Sequence, residues 1–177
     1  MSSSHISVRD IALIGLMTAL IEVCKLTMAS LPNIELTTFW IILFTIYFGK
    51  KIYFVIPVFI LLEGLIFGFG LWWFMYLYTW PLLAFITQNL NKHSSVMTWS
   101  ILAGVFGLSF GLLCSMPYFF IATSGSFAVR LQITFAWWVA GIPWDIIHGV
   151  SNFIIMSQLY HPINNIIEKV KNDSSIA

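Results

Sequence analysis

Long apolar runs, separated by short polar or glycine–proline breaks, fill this chain from end to end. The breaks fall at residues 30–35, where Pro32 interrupts the run, at Gly49-Lys50-Lys51, at Gly68 and Gly70, at residues 88–93, and at Thr123-Ser124-Gly125-Ser126. Between them the pattern predicts helical spans over about 11–29, 36–48, 52–67, 71–86, 96–121 and 134–159. At 1.5 Å per residue, about twenty apolar residues cross a hydrocarbon core of about 30 Å. The expected fold is therefore all-α, a six-helix integral membrane bundle forming one transmembrane domain over 1–177.

Composition strengthens the membrane reading. The 177 residues are 59% hydrophobic and only 8% charged, with mean hydropathy +0.91. A water-soluble domain carries about a quarter charged residues. The expected location is a cell membrane, crossed several times. A net charge of +1 offers no basic surface for nucleic acid. A cleaved signal peptide is not expected, because the first run passes through Glu22 and Lys25 and further spans follow. Cys24 and Cys114 stand far apart with no CxxC or Cys/His spacing, so they read as small packing residues rather than metal ligands or a disulfide. No cofactor and no metal are expected.

Basic residues set the orientation. With both termini inside, Arg9, Lys50, Lys51, Lys92, Lys169 and Lys171 are cytoplasmic, against Lys25 and Arg130 outside. The predicted topology is N-in, C-in. The spans are unequal and show no internal repeat, unlike the inverted halves of many secondary transporters.

The polar residues inside these runs are the candidate chemistry. Residues 137–152 set an acid, an imidazole and an amide among tryptophans, and a helix starting at Gly141 and Pro143 places Asp145, His148 and Asn152 at i, i+3 and i+7 on one face. Ionisable groups in hydrocarbon cost at least a few kcal/mol unless they face a cavity or a partner, so this face is a candidate site. The competing role is an Asp–His pair that pins two helices together. On the predicted topology Glu22, Lys25, Glu35, Glu63, Arg130 and the aromatic segment 72–78 all fall toward the outside. There they can ring one pocket, with Trp72, Tyr76, Trp138 and Trp144 as aromatic walls. The alternative for any single Trp or Tyr is an interfacial belt. Glu22 and Lys25, at i and i+3, can pair or reach the interface. Gly15 and Ala19 form a small-xxx-small pair, and Gly104, Gly107 and Gly111 form a glycine face; both permit close helix approach. An enzyme is not expected: there is no HExxH, no GxSxG and no paired-glutamate motif.

The chain resembles the substrate-binding S-components of energy-coupling-factor (ECF) vitamin importers. The resemblance covers the whole length: about 180 residues, six spans and both termini inside. The segment 11–20, with Gly15 and Ala19 where family members usually show two alanines, looks like the first helix that meets the membrane-embedded coupling subunit. Pro143-Trp144-Asp145-Ile146-Ile147-His148-Gly149 is similar to the Pro-Phe-Asn-x-x-Lys-Gly stretch of riboflavin-type members, whose amide and amine contact ligand. The resemblance implies a binding protein without catalytic residues, in which Asp145 and His148 contact a vitamin and the loop around Asn33 and Glu35 is a lid. It implies as partners a coupling subunit and two cytoplasmic ATPase subunits. The aromatic content is similar to cobalamin-type members, with riboflavin, a pyridoxine-like or pyrimidine compound and pantothenate as the alternatives. Outside the family, the alternatives are an autonomous ion-coupled carrier and an intramembrane enzyme.

Overall fold

The computed structural model describes residues 6–121 and 125–174, so Thr123 and Ser124 of the last expected loop lie outside the described residues. The described residues form helices α1 (Val8–Thr27), α2 (Thr37–Phe48), α3 (Ile52–Phe67), α4 (Leu71–Asn89), α5 (Val96–Ile121) and α6 (Phe127–Ser174), with a 3-10 turn at Gly49–Lys51. No strand occurs among them. Helix α1 starts at a reciprocal cap, in which Ser7 Oγ accepts from the Asp10 N–H and Asp10 Oδ2 accepts from the Ser7 N–H, each at 3.1 Å. That cap moves the helix start ahead of the apolar run.

The centre of the molecule is α2. Its sequence is apolar all round, and Thr37 through Thr45 are all buried. A helix of this kind belongs inside a bundle rather than at its surface. At 12 residues it is about 18 Å long. Gly49 ends it with φ +56, a backbone state that favours glycine. The chain then turns through Gly49–Lys51 directly into α3.

Helices α5 and α6 pack along each other more extensively than any other pair. The glycine face of α5 explains why. A Cβ added at Gly107 would stand 2.8 Å from the Cα and N of Gly149, so the two backbones touch where only hydrogens fit. Helix α6 departs from expectation in two ways. It begins at Phe127 and runs unbroken through Pro143, so Pro143 is not a helix start, and it continues past 159 to Ser174. A single missing N–H removes one bond from a long ladder, and close packing on α5 holds the two halves in line.

The surface is apolar. Leu16, Leu65, Phe85, Val105 and Phe135, on five different helices, are each more than half exposed. Scattered singles are ordinary on a protein surface, but exposure on this scale around the bundle is consistent with a lipid-facing surface. Among the described residues two helices, Val96–Ile121 and Phe127–Val170, are long and apolar enough to cross a membrane.

Candidate functional site

Helix α6 carries the expected polar face. Asp145, His148 and Asn152 are all buried, yet they have different partners. Asp145 Oδ1 accepts a 2.8 Å hydrogen bond from the backbone N–H of Gly111, which ties α6 to α5. His148 and Asn152 instead hold the segment between α1 and α2. His148 Nε2 lies 3.1 Å from Glu35 Oε1, Asn152 Nδ2 donates to Thr38 Oγ1 at 3.1 Å, and Ser151 Oγ donates to the Asn33 carbonyl at 3.2 Å. Asn33 sits at φ +58, a left-handed state that asparagine tolerates.

Glu35 is the hinge of this latch. Its Oε2 accepts from the Thr38 N–H at 2.9 Å, within the first turn of α2, where a negative charge also meets the positive end of the helix dipole. Burial opposes its ionisation, but the hydrogen bonds from His148 and Thr38 outweigh that and hold its carboxyl down from 4.5 to about 2. An ionised carboxylate only accepts, so His148 Nε2 carries the proton in this contact. The ring of His148 packs edge-on against Phe110 of α5, with centroids 4.9 Å apart.

A second cluster lies where the ends of α1, α3 and α4 meet. The Lys25 ammonium pairs with Glu63, whose side chain is completely buried, and donates to the Tyr76 hydroxyl at 3.1 Å. Four rings surround it, with centroids at 4.8 Å for Tyr76, 5.6 Å for Phe59, 5.7 Å for Phe67 and 5.8 Å for Trp72. These distances are those of cation–π contacts. Glu22, one turn before Lys25, is buried, and neither of its carboxylate oxygens has a hydrogen-bond partner; Glu63 Oε1 also lacks one. Glu22 and Glu35 both lie within Coulombic reach of Lys25.

Aromatic rings join the two clusters. Trp72 meets Tyr76 at 5.3 Å, Tyr76 meets Trp80 at 5.4 Å, and Trp80 meets Phe110 at 5.5 Å, which in turn touches His148. Charged groups and rings from α1, α3, α4, α5 and α6 thus converge with the 30–36 segment at one end of the bundle. Two apolar surface grooves lie elsewhere. One of about 520 Å³ runs between Phe74 and Tyr78 of α4 and Met116 and Phe120 of α5, and one of about 310 Å³ follows the α5–α6 seam at Gly104 and Gly149. Among the described residues no three His, Cys, Asp or Glu side chains come together as a metal site.

No known family model, curated protein or solved structure matches the chain. Geometry alone therefore sorts the candidate residues. It brings together Glu35, Asn33, His148 and Asn152 in the latch, and Glu63, Trp72 and Tyr76 around Lys25. It does not bring Trp138, Trp144 or Arg130 to either cluster. Trp144 is half exposed on the outer side of α6. Trp138 lies two turns from Asp145 toward the start of α6, with its ring against Phe135. The Arg130 side chain, in the first turn of α6, makes no hydrogen bond or ion pair among the described residues. Asp145 fills the helix-pinning role. Lys25 pairs across to Glu63 rather than with Glu22 along its own helix. Sequence reasoning missed Thr38, Ser151, Phe59 and Phe110 as parts of the site. The signal for Ser151 was present, since it sits one turn after His148.

Proposed function

We propose that the protein is the membrane-embedded, substrate-binding S-component of an ECF-type vitamin importer. On this reading it crosses the membrane six times with both termini inside. It takes a vitamin-class compound from the outer side without chemical conversion, and hands it to a coupling subunit driven by two cytoplasmic ATPases. A corrinoid is the first ligand to test, followed by riboflavin, pyridoxine-like or pyrimidine compounds and pantothenate.

One observation carries the reading. Buried carboxylate oxygens without donors, an ammonium and a run of aromatic rings lie at the end of the bundle that a short loop closes, and side-chain hydrogen bonds fasten that loop beside the core contact of Leu36. Pocket walls of rings with a few convergent polar groups suit a small conjugated ligand. A loop fastened by a few hydrogen bonds, about 1 kcal/mol each between neutral groups and about 1.5–3 kcal/mol to the Glu35 carboxylate, can open at a cost of a few kcal/mol. A second observation supports the partner. A Cβ added at Gly15 meets nothing within 4 Å, and Ala19 is exposed, so this small-residue face is free for another helix.

The experiment uses purified protein in liposomes. It should bind its ligand without ATP, fail to accumulate it under a proton or sodium gradient, and return it unmodified by mass spectrometry. Gradient-driven accumulation by this chain alone would make it an autonomous carrier. A modified product would make it an enzyme.

A further inference from the structure

The charges around Lys25 do not balance. Glu22, Glu35 and Glu63 supply three carboxylates, and among the described residues Lys25 is the lysine or arginine within their reach. His148 satisfies one oxygen of Glu35. Glu63 is completely buried and Glu22 is 94% buried, counting from its 6% exposure, yet three oxygens of these two carboxylates have no hydrogen-bond partner. Buried carboxylates left in this state are costly, and a nearby positive charge relieves the cost. The four rings around the Lys25 ammonium form a cage that suits a cation, and the Lys25 side chain as a whole is about a quarter exposed. The cage is thus reached by a partly exposed side chain, filled by the protein's own flexible cation, and backed by acid in excess.

We propose that this cage is the subsite for a positively charged group of the substrate, an organic ammonium or a cationic heteroaromatic ring, which takes the place of the Lys25 ammonium against Glu63, Glu22 and the faces of Tyr76 and Trp72. Lys25 then acts as an internal plug that offsets part of the negative charge of the empty site and swings toward solvent on binding. The inference rests on the binding-protein reading above and narrows its ligand by charge. A site for an anion would instead surround Lys25 with further cations; here carboxylates and ring faces lie around it, and these disfavour an anion.

The test is a binding series on the full chain in detergent, using thiamine and pyridoxamine as cationic probes and riboflavin, pantothenate and cyanocobalamin as neutral or anionic ones. A cationic probe should bind at least about tenfold more tightly than every other probe, the scale of one charge-assisted hydrogen bond with ring contact. Glu22→Gln leaves no partner stranded, keeps the side-chain shape, and should weaken the cationic probe about tenfold. Lys25→Met should strengthen it, because the competing ammonium is gone. Should Lys25→Met fail to fold, the Glu22→Gln result stands alone. Preferential binding of a neutral or anionic probe, a loss of affinity in Lys25→Met, or a cationic probe indifferent to Glu22→Gln overturns the cation subsite while leaving the binding function intact. Binding of none of the probes overturns the subsite and the binding-protein reading together.

Discussion

The α5–α6 seam and the Lys25 cage both bury polar groups, and they do so in opposite ways. In the seam, glycine backbones touch, and Asp145 spends one oxygen on the Gly111 amide, a partner that cannot move without unwinding a helix, while its other oxygen has no donor. In the cage, the partners are side chains on separate helices, joined by a lysine with four rotatable bonds and flanked by carboxylates still lacking donors. The seam is a fixed joint. The cage and its latch are parts that can exchange one partner for another. A buried acid alone does not distinguish a site from a joint; the mobility of what it bonds to does.

The largest effect should come from breaking the seam. Gly107→Val forces a branched side chain against the Gly149 backbone, and overpacking of this kind costs about 1–3 kcal/mol or more. Thermal unfolding in detergent should show a much lower midpoint, or the protein should fail to purify as a single species. A wild-type midpoint would mean that the helices do not approach this closely.

The latch should answer with function rather than with fold. His148→Ala removes the proton donor to Glu35 and should weaken ligand binding by about 1–3 kcal/mol, the scale of a lost hydrogen bond to a charged group. Amide exchange over residues 31–38 should quicken in the same variant. Unchanged affinity together with unchanged exchange would remove the latch from the account.

Acid should loosen the latch more gently. The Glu35 carboxyl is lowered in the fold from 4.5 to about 2, so its ionised form stabilises the folded state. That contribution is complete above about 4.5 and is lost as the pH falls from there toward 2. Unfolding midpoints measured across this window should fall with pH, and Glu35→Gln should flatten the dependence. A variant with the wild-type slope would assign the acid sensitivity to another group.

The smallest effect on the isolated protein should come from Gly15→Leu, which adds a side chain into open space. Stability and ligand affinity should stay at wild-type values, while uptake with the proposed coupling subunits present should fall. Loss of folding or of ligand binding would make the motif internal packing.

The helices were legible because apolar runs and glycine–proline breaks mark them directly. The expected run over 96–121 coincides with α5, Val96–Ile121. The course of α6 was less legible. Pro143 is a stop signal for an isolated helix, and packing on α5 overrides it; past 159 the helix continues through Pro162, where Tyr47 of α2 bonds to Asn164. The face of Asp145, His148 and Asn152 follows from helical period alone, but period does not say that Asp145 turns to a glycine amide while His148 turns to a loop more than a hundred residues away. Lys25 shows the same limit. Spacing offers Glu22 as its partner along the helix, whereas the tertiary fold supplies Glu63, 38 residues on. The outward turn of Trp144 depends on how α6 is rotated against α5, which its own sequence does not encode.

The central claim is capture of a small molecule at the latched end of the bundle, and calorimetry on the solitary purified chain tests it most directly. Titrated in the absence of ATP with a panel of B vitamins and corrinoids, the protein should bind one compound class tightly at one site per chain, and His148→Ala should bind the same compound more weakly. Flat traces across the whole panel, with protein that remains folded, would contradict the account.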